Sequence, residues 1–147
     1  MDELLIDSNI ALRWADHASS FHPTVVVALR SFVDKGQRLF ICPQVMVEFW
    51  CVATRPLGVN GLGLSASRAD RVMNRLERFC ELVPETPAVF VEWRRLVMTH
   101  QVLGKKSYDA RLVALMMAHG IKNILTFNLI DFARYSEITA IDPRTIV

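Results

Sequence analysis

The chain has 147 residues, enough for one domain with a proper core, and 52% of them are apolar, above the usual soluble range. A formal net charge of +2 is too weak to mark a nucleic-acid binder on its own, and no apolar run approaches a membrane span in length. The mean hydropathy of +0.25 instead implies apolar surface buried in an oligomer or partner interface.

The opening MDELLID is acidic where a secretory leader would be basic, which predicts a cytoplasmic protein. Cys42, Cys51 and Cys80 are odd in number and form no CxxC pair, as expected of small buried hydrophobes in a reducing compartment. Leu4-Leu5-Ile6 is apolar on both faces and predicts a central strand of a parallel sheet. Asp7 then falls at its carboxyl end, where such sheets place ligands, and also where a cap for the next helix belongs. His17 to Pro23 is a break in which His17 and His22 read as loop residues, not spaced as a zinc pair. Pro23 suits the first turn of a helix whose inward face is Val26, Leu29, Phe32 and Val33, and Gly36 ends it.

Leu39 to Cys42 reads as a second strand, and Pro43 opens a helix through about Thr54. Val45, Phe49 and Val52 recur as one buried stripe on that helix, and Glu48 falls inside it. A carboxylate there requires a cation or a hydrogen-bonded partner, and Arg55 is the candidate nearest in sequence. The glycine-rich stretch from Arg55 to Leu64 is a mobile or tightly turned loop beside a substrate groove. It follows a helix and lacks the Lys-Ser/Thr of a phosphate loop.

Ser65 caps the next helix, which runs to about Cys80 with Ala69, Val72, Leu76 and Phe79 facing inward. Arg68, Arg71, Arg75 and Arg78 form a basic stripe on it, either a solvated face or an RNA contact. Leu82-Val83 is a third strand, and Pro84 and Pro87 bracket the turn into a helix carrying Trp93, Leu96 and Val97. His100, near its end, reads as structural.

The stretch from Lys105 to Phe132 reads as helix, turn and strand. Ser107 is its expected N-cap, Leu112, Val113, Met116 and Met117 its apolar face, and Gly120 its stop. Asp109 lies in the first turn, three and four residues before Leu112 and Val113, so it projects from the inward stripe. Ile121 to Phe127 is a buried strand with Thr126 and Asn128 at its carboxyl end, and Ile138 to Ile141 is a last edge strand. Strands alternating with helices argue a single α/β sandwich with a mostly parallel sheet. If Asp7, Glu48 and Asp109 converge with Asn128, they form an all-oxygen site for a hard cation such as Mg²⁺ or Mn²⁺. Periodicity shows only that they point inward.

The segments IDSNI, PQVMVEFW, SYDARLVALMMAHG and LTFNLIDF together resemble the PIN domain, and in particular the VapC toxins of bacterial toxin–antitoxin pairs. The resemblance spans almost the whole chain and implies a single PIN-like domain over residues 1–147, folded as a three-layer α/β/α sandwich. It further implies an endoribonuclease using Mg²⁺ or Mn²⁺. Asp7, Glu48 and Asp109 take the three core acidic positions, and the fourth falls on Asn128, with Asp131 three residues on either a substitute metal ligand or a residue that orients the segment at one remove. A homodimer and a cognate antitoxin partner follow from the same resemblance. Ser8, Asn9, Lys105, Lys106 and Arg111 are the candidate RNA contacts. The alternative is a PIN-like module that binds RNA or a partner without catalysis.

Overall fold

The computed structural model describes residues 3–146, so the Met1-Asp2 part of the acidic start lies outside the described residues. The chain runs β1 (Glu3–Ile6), α1 (Ser8–Ala15), α2 (His22–Asp34), β2 (Arg38–Ile41), α3 (Pro43–Thr54), α4 (Ala66–Phe79) and β3 (Glu81–Leu82). It continues as α5 (Pro87–Thr99), α6 (Lys106–Ala118), β4 (Asn123–Leu125), α7 (Leu129–Phe132) and β5 (Thr139–Ile141). The strands form one sheet in the order β3-β2-β1-β4-β5, and every pairing is parallel.

Period-two alternation builds the layers. On β1, Leu4 and Ile6 face one side with Ile10, Phe32 and Phe49, while Leu5 faces the other with Val113, Leu115 and Ile124. Both faces are dry, and each fully buried Leu or Ile contributes about 1.5–3 kcal/mol of transfer free energy. Helices α1 to α4 cover the first face. Helices α5 and α6 pack on the second, so the fold is the expected three-layer α/β/α sandwich.

Local chemistry explains where elements stop. Gly120 adopts φ +70° directly after α6, the left-handed position that glycine fills without strain. Ser65 Oγ accepts the Arg68 N–H at 3.2 Å and caps α4 as expected. The loop after α3 is tightly turned: Gly63 N–H donates to the Arg55 carbonyl at 2.8 Å and Leu64 N–H to that of Ala53 at 2.9 Å. Gly61 packs so closely there that a Cβ would stand 1.9 Å from the Arg55 oxygen, so no larger residue fits.

Four expectations need correction, the first being that Cys51, unlike the buried Cys42 and Cys80, is exposed on α3. Ser107 does not cap α6, which starts at Lys106 behind Lys105 without any side-chain cap. The inward face of α2 is Val25, Ala28, Leu29 and Phe32, with Val33 exposed, and His22 is its first helical residue. Glu48 is partnered by Gln44, one turn before it on α3, and not by Arg55.

Candidate active site

Strands β1, β2 and β3 are added in one direction and β4 and β5 in the other, so the order reverses between β1 and β4. The crevice outside the carboxyl ends of those two strands is where parallel sheets bind ligands. Asp7 stands there, directly after β1, with its N–H donating to the Leu125 carbonyl of β4 at 3.1 Å. Its carboxylate is fixed on both oxygens. Oδ1 accepts the Ser8 N–H at 2.7 Å as the cap of α1, and Oδ2 accepts the Thr126 hydroxyl at 2.8 Å. Asn9 Nδ2 lies 3.3 Å from Oδ2 and also donates to Thr126 Oγ1 at 3.2 Å, while Asn9 Oδ1 accepts the Phe127 N–H at 3.2 Å. Thr126 Oγ1 takes the Asn128 N–H at 3.0 Å as well, so this fully buried hydroxyl is satisfied in every direction.

Asp7 is only 5% exposed. Burial pushes its carboxyl up to about 6 against the hydrogen bonds from Thr126 and Ser8, and the charges of Glu48 and Asp131 push the same way. Asp109, half-buried in the first turn of α6, is also pushed up to about 6. Burial is again the main cause, followed by the charges of Asp131 and Asp7, then Lys106 in opposition and Glu48. Glu48 Oε1 accepts Gln44 Nε2 at 3.0 Å. The buried Gln44 also donates to the Tyr108 carbonyl at 2.9 Å and accepts Arg111 Nη1 at 2.8 Å through Oε1. Asp131, in α7, accepts Lys106 Nζ at 2.7 Å.

Four carboxylates therefore share one crevice, and the charges of Glu48 and Asp131 raise the cost of ionising Asp7 and Asp109. Yet among the described residues no group of three or more His, Cys, Asp or Glu side chains is gathered so as to hold a metal ion. The two observations are compatible, because Lys106 holds Asp131 and Gln44 holds Glu48 in separate hydrogen bonds. The donor set is all-oxygen and strained by its own charge, so it fits a hard divalent cation in chemistry. Among the described residues its geometry is open, with no three of these carboxylates gathered at one point.

Asn128, at the N-terminus of α7, is exposed and contributes its backbone N–H; Asp131, not Asn128, is the fourth residue whose charge reaches Asp7 and Asp109. Asn9 is committed to positioning Asp7, Lys106 is paired with Asp131, Arg111 with Gln44 and Glu85, and Lys105 is exposed beside them. Thr126 and Gln44 escaped the candidate list. The signal for Thr126 was a hydroxyl ending an apolar strand, and for Gln44 an amide one helical turn before Glu48. The basic stripe divides. Arg68, Arg71 and Arg75 line a hollow of about 510 Å³ with Ala15 and Val72, where Arg75 lies over the Trp14 ring at 4.9 Å, while Arg78 lines a different hollow.

A pH dependence follows. The unfolded Asp7 carboxyl loses its proton near 3.8 and the folded one near 6, so between those values the folded state binds more protons. Metal-free stability is expected to fall as pH rises through that window and to level off above it, with Asp7 contributing a loss on the order of 3 kcal/mol. Urea melts of the parent and Asp7→Asn at pH 4 and pH 7.5 check this. The parent should lose ground to the variant on going to the higher pH, and parallel profiles would refute it.

Over residues 4–138 the chain matches the family described as PIN domain. No curated protein sequence matches it significantly. Among solved structures, VapBC2 from Rickettsia felis bound to a DNA fragment from its promoter superposes with a TM-score of 0.70 at 12% identity, covering 95% of this chain and 98% of that one. FitAcB from Neisseria gonorrhoeae gives 0.66 at 18% identity, covering 97% and 99%. VapC20 from Mycobacterium tuberculosis, described as a sarcin–ricin loop cleaving toxin, gives 0.61 at 18% identity, covering 82% and 86%. At these identities the likeness is one of fold.

Proposed function

Because the chain belongs to the PIN domain family, we propose that it is a metal-dependent endoribonuclease, the toxin of a toxin–antitoxin pair. The observation that carries this reading is the set of four carboxylates that act on one another at the strand-order reversal, Asp7 from the end of β1, Glu48 of α3, Asp109 of α6 and Asp131 of α7. Asp7, Glu48 and Asp109 would hold Mg²⁺ or Mn²⁺, with Asp131 as a fourth carboxylate beside the position of Asn128. A divalent cation there supplies charge neutralisation at the phosphodiester and lowers the cost of deprotonating water.

The chain's own residues do the rest. Thr126, Ser8 and Asn9 lock Asp7 in one orientation, and Gln44 does the same for Glu48. An Asp109 or Glu48 carboxylate oxygen left free of the cation would orient the attacking water and take its proton. The water oxygen bonds to phosphorus, the bond to the 3′-oxygen breaks, and that oxygen takes up a proton from solvent to leave as a hydroxyl, giving a 5′-phosphate. Lys105 would meet the RNA backbone, with Lys106 beside it in its ion pair with Asp131.

Among the described residues no helix is long and apolar enough to cross a membrane. A cytoplasmic homodimer bound by its antitoxin completes the reading, supported by the large exposed side chains of Leu57, Leu103 and Ile130. The Lys106–Asp131 ion pair favours a second reading, a non-catalytic binding module in which a lysine already neutralises one of the carboxylates. One experiment decides. Mg²⁺ or Mn²⁺ should raise the melting temperature with concentration and support cleavage of a pooled RNA, both abolished by EDTA. Cleavage that survives exhaustive chelation, or metal that neither stabilises nor activates, would end the nuclease proposal in this form.

A further inference from the structure

Behind the carboxylates, between α5 and the start of α6, lies a hollow of about 350 Å³ lined by Glu85, Thr86, Val89, Phe90, Trp93 and Arg111. Its walls are aromatic and its rim is charged. The Phe90 and Trp93 rings stack with centroids 5.8 Å apart and planes inclined by 29°. The Trp93 indole N–H donates to the Ser107 carbonyl at 2.9 Å, which fixes that ring, whereas Phe90 is 60% exposed although nothing in the core requires it. Arg111 Nη2 pairs with Glu85 Oε1 at 3.1 Å across the rim. The same guanidinium reaches through Nη1 to Gln44, and Gln44 to Glu48, so the hollow is joined to the carboxylate crevice by two hydrogen bonds and one buried amide.

We infer that this hollow is a base-binding subsite, one that takes a purine of the RNA strand, guanine in preference, next to the cleavage position. The inference rests on the nuclease reading for its substrate. An apolar hollow with an exposed phenyl ring stacked on a fixed indole suits a planar π-system, and base–aromatic stacking is the main sequence-tolerant term in single-strand binding. The rim adds the selection. A guanidinium donates to the O6 and N7 acceptors of guanine, and a carboxylate accepts from its N1–H and exocyclic amine. Adenine and cytosine present an amino group toward the arginine, and uracil has less ring to stack. In a single strand those edges are unpaired and open to be read. A base seated against Arg111 also bears on Gln44, hence on the orientation of Glu48, which ties occupancy of the slot to the readiness of the crevice.

The test uses short single-stranded RNAs identical but for one internal G, A, C or U, titrated in EDTA so that binding is read without cleavage, and then with Mg²⁺ so that cleavage is read. The parent should bind the G oligonucleotide at least several-fold more tightly than the others. Phe90→Ala, a change at an exposed position that leaves the fold intact by circular dichroism, should weaken binding about tenfold or more. Glu85→Gln should erase the preference for G while keeping affinity for the others. Base preference and affinity unchanged in Phe90→Ala would overturn the subsite, as would a loss of self-association in its place, which would mark the hollow as a protein interface. Selective binding without Mg²⁺-dependent cleavage would keep the subsite and sink the nuclease. Cleavage unaffected by either substitution would do the reverse. No RNA binding at all would remove both.

Discussion

Asp109→Asn is expected to yield a folded protein that cleaves RNA at least about a hundredfold more slowly, the scale of losing one group that stabilises charge in the reaction. The same variant should be no less stable than the parent without metal. Asp109 is pushed up to about 6 because it is half-buried and faces Asp131, Asp7 and Glu48. Replacing it with a neutral amide of nearly the same shape removes that repulsion from the crevice. The helix start loses little, because a carboxylate in the first turn contributes only about 0.3–1 kcal/mol through the helix dipole. Added Mg²⁺ should stabilise the variant less than the parent, since a charged oxygen ligand has gone. Thermal melts with and without Mg²⁺, beside one cleavage assay, test the whole chain of reasoning. A destabilised but fully active variant would show Asp109 to be an ordinary helix-start residue.

Thr126→Val is the second large effect, and it separates positioning from ligation. Valine fills the same volume but cannot donate to Asp7 Oδ2 or accept from Asn9 Nδ2 and the Asn128 N–H. With the site fully buried, the orphaned groups should cost on the order of 3 kcal/mol. The hydroxyl also holds the Asp7 carboxyl down against its burial, so its loss should push Asp7 above 6 and move the rise of activity to higher pH. Thr126→Ser keeps the hydroxyl and should restore the pH profile while losing only about 1 kcal/mol for the missing methyl. Equal pH profiles in parent and Val variant, each normalised to its own maximum, would reduce Thr126 to a packing residue.

Much of the scaffold was readable in advance because local chemistry decides it. Pro43 and the apolar stripe delimit α3 as expected, Ser65 caps α4, Gly120 ends α6, and a strand apolar on both faces sits at the centre of the sheet. The errors have equally local causes. Three consecutive valines, Val25 to Val27, leave the phase of α2 undetermined within one residue, and burial selects Val25. At α6, Gly104 at φ +59° turns the chain so that the helix opens on Lys106, before Ser107 is in a capping position. The site is legible in residue type and hidden in contact. That Asp7, Glu48 and Asp109 point inward followed from carboxylates on apolar faces, and their grouping came from the resemblance to the PIN domain. That Thr126 would hold Asp7 across 119 positions, or Gln44 meet Tyr108 across 64, depends on how the layers close, which no local pattern encodes.

The bond from Asp7 to Thr126 also dictates an order of events. It joins the first strand to the fourth, and Asp109, Thr126 and Asp131 all arrive late in the chain. A polypeptide emerging from the ribosome has made Asp7 and Glu48 long before anything exists to orient one or to complete the other's neighbourhood. Domains assemble during synthesis from the N-terminal end, and non-local pairings must await closure of the loop between them. Through most of its synthesis the nascent chain therefore lacks the assembled crevice. On the proposed nuclease reading, the capacity to cut RNA arises only once nearly all of these residues have been translated.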